Sequence, residues 1–176
     1  MNYWIIADTH FGHDRMFKNG YRPEGFERQI INNLHNMVKS DDVTIHLGDV
    51  CFYKEEYWNE LFLVNTKGKR WLIRGNHDKK TATWYLTHGW DAVCDSMSIK
   101  LYGKNLLFTH RPVIVAPHFD FNIHGHLHTS DRYPEILTED KNILVSMEEM
   151  QYKPQNLRSL VERKQPTTLQ FPMFKL

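Results

Sequence analysis

The chain is poor in cysteine, with two in 176 residues, and that scarcity is the first limit on what it can be. Cys51 and Cys94 are too few for a disulfide framework and lack the paired spacing of a structural zinc site, so a reducing compartment is expected. No apolar run approaches the roughly 18 residues of a membrane span, and no basic leader precedes the first apolar stretch. Neither a membrane association nor a signal peptide is therefore expected, and the cytoplasm is the expected location. An excess of one charge is missing too: 22 Lys+Arg against 21 Asp+Glu leave +1, no global field drawing the chain to nucleic acid or lipid. Linkers, repeats and low-complexity segments are absent. Residues 1–164 read as one domain, and 165–176, with Pro166 and Pro172, as a loosely tied tail.

What the chain has instead is histidine. There are eleven, and five of them fall between His110 and His128. Histidine is the commonest metal ligand and the usual acid–base group near neutral pH. Its placement here follows a pattern.

Tyr3 to Ala7, Val43 to Leu47 and Lys69 to Ile73 are short apolar runs that read as buried strands. Between them, Phe26 to Val38 carries apolar residues at helical spacing, and Lys54 to Val64 reads as a second helix. Strand alternating with helix is the grammar of a mostly parallel sheet. A further helix is expected over Lys79 to His88, begun by Asp78 and ended by Gly89. The grammar then changes: Ser96 to Leu101 and Leu106 to Thr109 flank Tyr102-Gly103-Lys104-Asn105, a hairpin turn. Asn142 to Met147 reads as one more strand and Pro154 to Arg163 as a terminal helix.

Five strands each end in a polar group of chemical interest. After the first come Asp8 and His10, which share a side if the chain stays extended. After the second comes Asp49. The third delivers Asn76 and His77 beyond Gly75, where the backbone is expected to turn sharply. His110 follows the hairpin, and His126 and His128 follow a kink at Gly125, two residues apart and able to reach different ions. One such ending is turn material; five in one domain are not explained by caps and turns. His46 reads as a buried strand residue, His35 as surface or packing, His88 as a helix-end cation, and His124 as core or as a partner of His126.

Two carboxylates, one amide and four imidazoles suit borderline divalent ions such as Mn, Fe, Co, Ni or Zn, and neither a structural zinc site nor a calcium cage. Two such ions, Asp8, Asp49 and one bridging hydroxide leave a net positive centre, which favours an anionic substrate. Two metals roughly 3.5–4 Å apart activate a bridging water and hold a phosphoryl group for in-line attack. A carboxylate between them is needed, and Asp49 is the candidate.

Asp8-Thr9-His10, Gly48-Asp49, Gly75-Asn76-His77-Asp78, His110 and Gly125-His126-Leu127-His128 together resemble the signature of the calcineurin-like metallophosphoesterases, in that family's order. The resemblance implies a four-layer α/β/β/α sandwich of two facing mixed sheets with helices outside. It implies two divalent transition-metal ions, manganese first. It places Asp8, His10, Asp49 and His128 on one ion, and Asp49 as bridge with Asn76, His110 and His126 on the other. His77 would face the substrate and Asp78 would orient His77, an arrangement expected of a tuned acid. Where many members carry a further acidic residue after Gly-Asp, this chain reads Val50-Cys51-Phe52-Tyr53, which removes no ligand but changes the wall of the site. No long insertion is present to cap it.

Outside the signature, His13 reads either as a group facing the phosphate or as a loop histidine. Arg111 reads as a bidentate phosphate ligand or as an exposed loop charge. The expected function is phosphodiester hydrolysis of a phosphorylated small molecule, such as a nucleotide, or of a nucleic-acid end. The alternatives are phosphomonoester hydrolysis and a non-catalytic scaffold of the same fold. Oligomeric state is open.

Overall fold

Tyr3–Ile6 (β1), Val43–His46 (β2) and Lys69–Ile73 (β3) pair in parallel, as the alternation of apolar runs and helices predicts. The computed structural model describes residues 1–129 and 141–163, so the expected tail at 165–176 lies outside them. Side chains leave a strand alternately to its two faces, and here both faces find apolar partners. Ile5, Val43, Ile45 and Ile73 enter one buried cluster, whereas Ile6 and Leu72 enter another. Two short edge strands complete a five-stranded sheet of order β4-β3-β2-β1-β9: Ala92–Cys94 (β4), parallel to β3, and Gln155–Asn156 (β9), antiparallel to β1. With three and two residues they are too short to show a period in the sequence.

The second sheet has four strands in the order β5-β6-β7-β8: Ser96–Leu101, Lys104–Thr109, Phe121–His124 and Asn142–Leu144. The hairpin is tighter than the sequence suggests. Leu101 pairs with Lys104 and Lys100 with Asn105, so only Tyr102 and Gly103 turn, both with left-handed φ (53° and 73°). That twist matches the right-handed twist of the flanking strands.

The two sheets face each other across one core. Ile5, Ile45 and Ile73 of the first meet Leu106, Phe108, Ile123 and Ile143 of the second, and all are buried. Helices α2 (Phe26–Met37), α3 (Glu55–Asn65) and α4 (Ala82–Thr87) cover the other face of the first sheet. Phe26, Ile30 and Leu34, one face of α2, pack with Ile6, Leu72 and Phe62. Helix α1 (Asp14–Lys18) buries nothing, while α5 (Leu157–Arg163) sends Leu157 and Val161 into the core between the sheets. The architecture is thus the expected α/β sandwich of two facing mixed sheets flanked by helices.

Helix α4 begins later than expected. Thr81 caps it, accepting the Trp84 N–H at 3.1 Å, and Asp78 takes no part. Asp78 is used elsewhere, in the loop that carries Asn76 and His77.

The register aligns the ends that matter. Ile6 pairs with His46 and His46 with Leu72, so the C-terminal ends of β1, β2 and β3 lie side by side. In the second sheet Thr109 pairs with His124, which places the ends of β6 and β7 together. Each run of apolar residues therefore empties its polar continuation into one crevice, outside the carboxyl ends of the strands.

Candidate metal centre

The chain does not stay extended past the strands. Asp8, His10, Asp49, His126 and His128 all have left-handed φ, between 46° and 72°, although none is glycine. Such backbone costs of order 1 kcal/mol or more per residue and persists where the surroundings over-determine it. Hydrogen bonds supply that constraint: Asp8 N–H donates to Gly48 C=O, His10 N–H to Asp49 C=O and Phe11 N–H to Val50 C=O, each at 3.0 Å. The loops after β1 and β2 are zipped together. The expectation that strand alternation would align Asp8 with His10, and a kink His126 with His128, is corrected: left-handed turns align them.

Gly75 and Gly125 are needed for space and not for turning, since neither has positive φ. A Cβ on Gly125 would come within 2.5 Å of Asp8 Oδ2, and one on Gly75 would collide with the Asp49 carboxylate. The sharp turn expected at Gly75 is thus a close approach of two loops.

The donors fall into two groups. Asp8, His10 and His128 offer atoms within 4.8 Å of one another, and so do Asp49, His110 and His126. His126 and His128 divide between the groups, as their spacing allowed. Asp49 stands between the groups: its Oδ2 is 3.6 Å from His10 Nε2 and 3.4 Å from His110 Nε2. Its Oδ1 accepts the His77 backbone N–H at 2.8 Å, which leaves Oδ2 for the centre. Asn76 joins the second group, with Oδ1 3.1 Å from His110 Nε2.

Hydrogen bonds fix how these groups present themselves. His110 Nδ1 lies 2.8 Å from the Leu47 carbonyl, which can only accept, so Nδ1 carries the proton and a neutral ring offers Nε2. Asp8 Oδ2 accepts the His126 backbone N–H at 2.8 Å, and Oδ1 is free of hydrogen bonds. His46, by contrast, is fully used. Thr9 Oγ1 donates to the Val50 carbonyl, so His46 Nε2–H donates to Thr9, and His46 Nδ1 accepts the Gly48 N–H. It is a structural residue, as expected.

The donor set fits two divalent cations. Asp8 Oδ1 and both ring nitrogens of His10 are buried without a hydrogen-bond partner, a costly state that a cation relieves. Burial pushes the Asp8 carboxyl up to about 7, against the pull of His110 and His128. Burial likewise drives His10 down to about 2 and, with the His110 charge, His126 down to about 4. At His110 burial also works against the charge, but the bond and charge of Asp49 and the charge of Asp8 outweigh it and raise it to about 8. Asp49 is held below the usual carboxylate range because, against burial, His110, the His77 N–H and His10 favour its charge. Protons on Asp8 and His110 thus do, without cations, part of what cations do when bound.

Around the centre, His77 is one-third exposed, its Nε2 4.0 Å from Asp49 Oδ2 and its ring 5.3 Å from that of His10. Asp78 does not orient it. The buried Asp78 carboxylate accepts three backbone N–H groups instead, from Asp49 (2.8 Å), Val50 (3.0 Å) and Gly75 (2.7 Å). It clamps the Asp49 loop to the Gly75 loop. Phe52 forms the altered wall, stacked on His13 at 4.0 Å and 9°, with its ring 4.9 Å from His77. His13 therefore lies beside the centre, in the wall, and burial followed by nearby cationic groups lowers its pKa. Arg111 is exposed at the rim, Nη2 3.5 Å from Asn76 Oδ1. His124 is buried inside β7, and His118 lies beside Asn105, at the opposite end of β6 from His110.

Two residues escaped the sequence reading. Buried Arg22 donates to the carbonyls of Asp8 (2.7 Å) and Thr9 (2.8 Å) and to Glu148 (2.8 Å), and Glu148 reaches His128. Glu148 follows the run Asn142 to Met147, so the strand-end rule that found the other groups also points to it. Arg22 lies in a turn and carried no such signal.

No family model matches this chain. A protein of Methanocaldococcus jannaschii, named only as the uncharacterized protein MJ1445, is 32% identical over 168 residues, covering 90% of this chain and 89% of its own length. Among solved structures, the protein of unknown function AQ665 from Aquifex aeolicus superposes with a TM-score of 0.78 at 25% identity, over 92% of this chain and 98% of that one. A novel archaeal phosphodiesterase reaches a TM-score of 0.46 at 20% identity, over 73% and 74% of the two chains, a score too low to carry an argument.

Proposed function

We propose, for a chain that belongs to one family with the uncharacterized protein MJ1445 of Methanocaldococcus jannaschii, the function of a two-metal phosphoesterase acting on phosphodiesters. One observation carries the reading: two donor groups with the Asp49 carboxylate standing between them, and the His77 ring beside that same carboxylate. Asp8, His10, His128 and Asp49 would hold one divalent ion, and Asp49, Asn76, His110 and His126 the other. When bound, two such ions supply Lewis acidity toward phosphoryl oxygens and a water of lowered pKa.

The chain's own residues do the rest. Asp49 and Asp8 bring two negative charges to a centre that then stays net positive toward an anionic ester. His77, the partly exposed imidazole, protonates the leaving oxygen as the ester bond breaks. Arg111 at the rim takes a second phosphoryl oxygen. Phe52 and His13 present a flat aromatic wall, and Tyr53, 61% exposed and edge-on to Phe52, extends it outward. Such a wall supports a substrate with an aromatic group on the ester, as in a nucleotide or a nucleic-acid end.

The test is hydrolysis of a chromogenic phosphodiester and the matching monoester by purified protein in Mn, Ni, Co, Zn and Mg separately. Diester turnover that requires metal and is lost in His77→Ala and Asp49→Ala supports the reading. Monoester preference makes it a phosphatase instead, and inactivity with metal bound makes it a binding scaffold.

A further inference from the structure

Glu148 stands 126 positions from Arg22, yet the two form an ion pair against the candidate centre. Arg22 Nε donates to Glu148 Oε1 at 2.8 Å, and the same oxygen is 3.1 Å from His128 Nδ1. Glu148 Oε2 is buried and has no hydrogen-bond partner. A guanidinium only donates, so Glu148 Oε1, ion-paired to Arg22 at 2.8 Å, is an acceptor. The hydrogen between Glu148 and His128 must then sit on Nδ1, leaving Nε2 as the donor atom of a neutral ring. The Leu47 carbonyl makes the same arrangement at His110 in the other group. The backbone is held as well, since Ser146 Oγ donates to the His128 carbonyl at 2.5 Å while His128 keeps its left-handed φ of 60°.

We infer that Glu148, anchored by Arg22, is a positioning residue for His128. It fixes the Nδ1–H tautomer and the ring orientation with which His128 joins Asp8 and His10. Arg22 adds a second tie, because its other two nitrogens donate to the carbonyls of Asp8 and Thr9, the two residues just before His10. One buried cation thus sets the loop after β1 and, through Glu148, the loop after β7. The inference rests on the two-metal reading above.

The experiment is a Co²⁺ titration of metal-free wild type, Glu148→Ala and Glu148→Gln, followed by visible absorption and paired with thermal unfolding of each metal-free protein. Wild type is expected to take two ions. In Glu148→Ala the affinity of the His128 group is expected to fall roughly 10–100-fold while the His110 group keeps its own, so that one titration becomes two separated steps. Glu148→Gln, which retains an acceptor for Nδ1–H, is expected to lose less. Long-range ¹H–¹⁵N spectra of wild type should show His128 protonated at Nδ1. Glu148→Ala and wild-type titrations that superimpose, or an Nε2–H tautomer, overturn the inference. A purely structural role lowers the unfolding temperature without separating the two steps, and that outcome also counts against it. If wild type binds no Co²⁺, the two-metal reading itself fails and takes this inference with it.

Discussion

The carboxylate of Asp8, at the end of β1, accepts the backbone N–H of His126, beyond the end of β7, at 2.8 Å. This bond crosses from one sheet to the other at the centre, and it uses one oxygen of a buried acid whose second oxygen has no partner. The second oxygen of Asp8 is therefore available to a cation. In metal-free protein at pH 8, Asp8→Asn is expected to raise stability by about 1–3 kcal/mol, since it keeps an acceptor and removes a buried charge. The same variant should lose the ion held by the His10 group. Metal analysis and thermal unfolding check the two halves separately.

Asp78 predicts the opposite pattern. Removing its carboxylate strands three backbone N–H groups, at about 1 kcal/mol or more each. Asp78→Ala is expected to lower stability by about 3 kcal/mol, measured by denaturant unfolding, and to lose metal because the Asp49 loop is released. Were Asp78 the orienter of His77, the variant would keep its stability and its metal and lose only turnover.

His77→Gln isolates the proposed acid. The hydrogen bond to Asp49 comes from the His77 backbone, so the side chain can change without breaking it. Both ions should remain, and kcat should fall about 10²–10⁴-fold for an ester with a poor leaving group. With a nitrophenolate, which leaves without a proton, the loss should be much smaller. Equal losses on both esters would argue that His77 binds the phosphoryl group instead.

The metal-free protein should lose stability as pH rises from 6.5 to 8. In that window native Asp8, raised to about 7, and native His110, raised to about 8, still hold protons that the unfolded chain has released. More protons on the native state means that stability falls with pH, by about 1–2 kcal/mol. The lowered groups, His10, His13, His46 and His126, act below 6.5, where the unfolded chain holds the extra proton and stability rises with pH. With saturating metal the sign above pH 6.5 should reverse, because cations bind the deprotonated donors. Unfolding midpoints across this range, with and without chelator, read both slopes.

The sequence by itself determined the order of the longer elements and marked the residues that could serve as donors. Apolar runs such as Val43 to Leu47 need no context to read as buried strands, and a polar residue just beyond each run marks the crevice. That is why Asp8, Asp49, Asn76, His110, His126 and His128 were legible, and why the same rule reaches Glu148. What the tertiary structure decided was everything that depends on who lies opposite. Asp78 looks like a helix start until the Asp49 and Gly75 loops bring it three backbone N–H groups. Gly75 and Gly125 look like turns until the facing carboxylates show that the need is for room. Arg22 carries no signal until the fold buries it between Asp8 and Glu148. The physical reason is common to all three: local pattern records a residue's own periodicity and chemistry, whereas a partner on another loop exists only once the strands lie side by side and the sheets face each other.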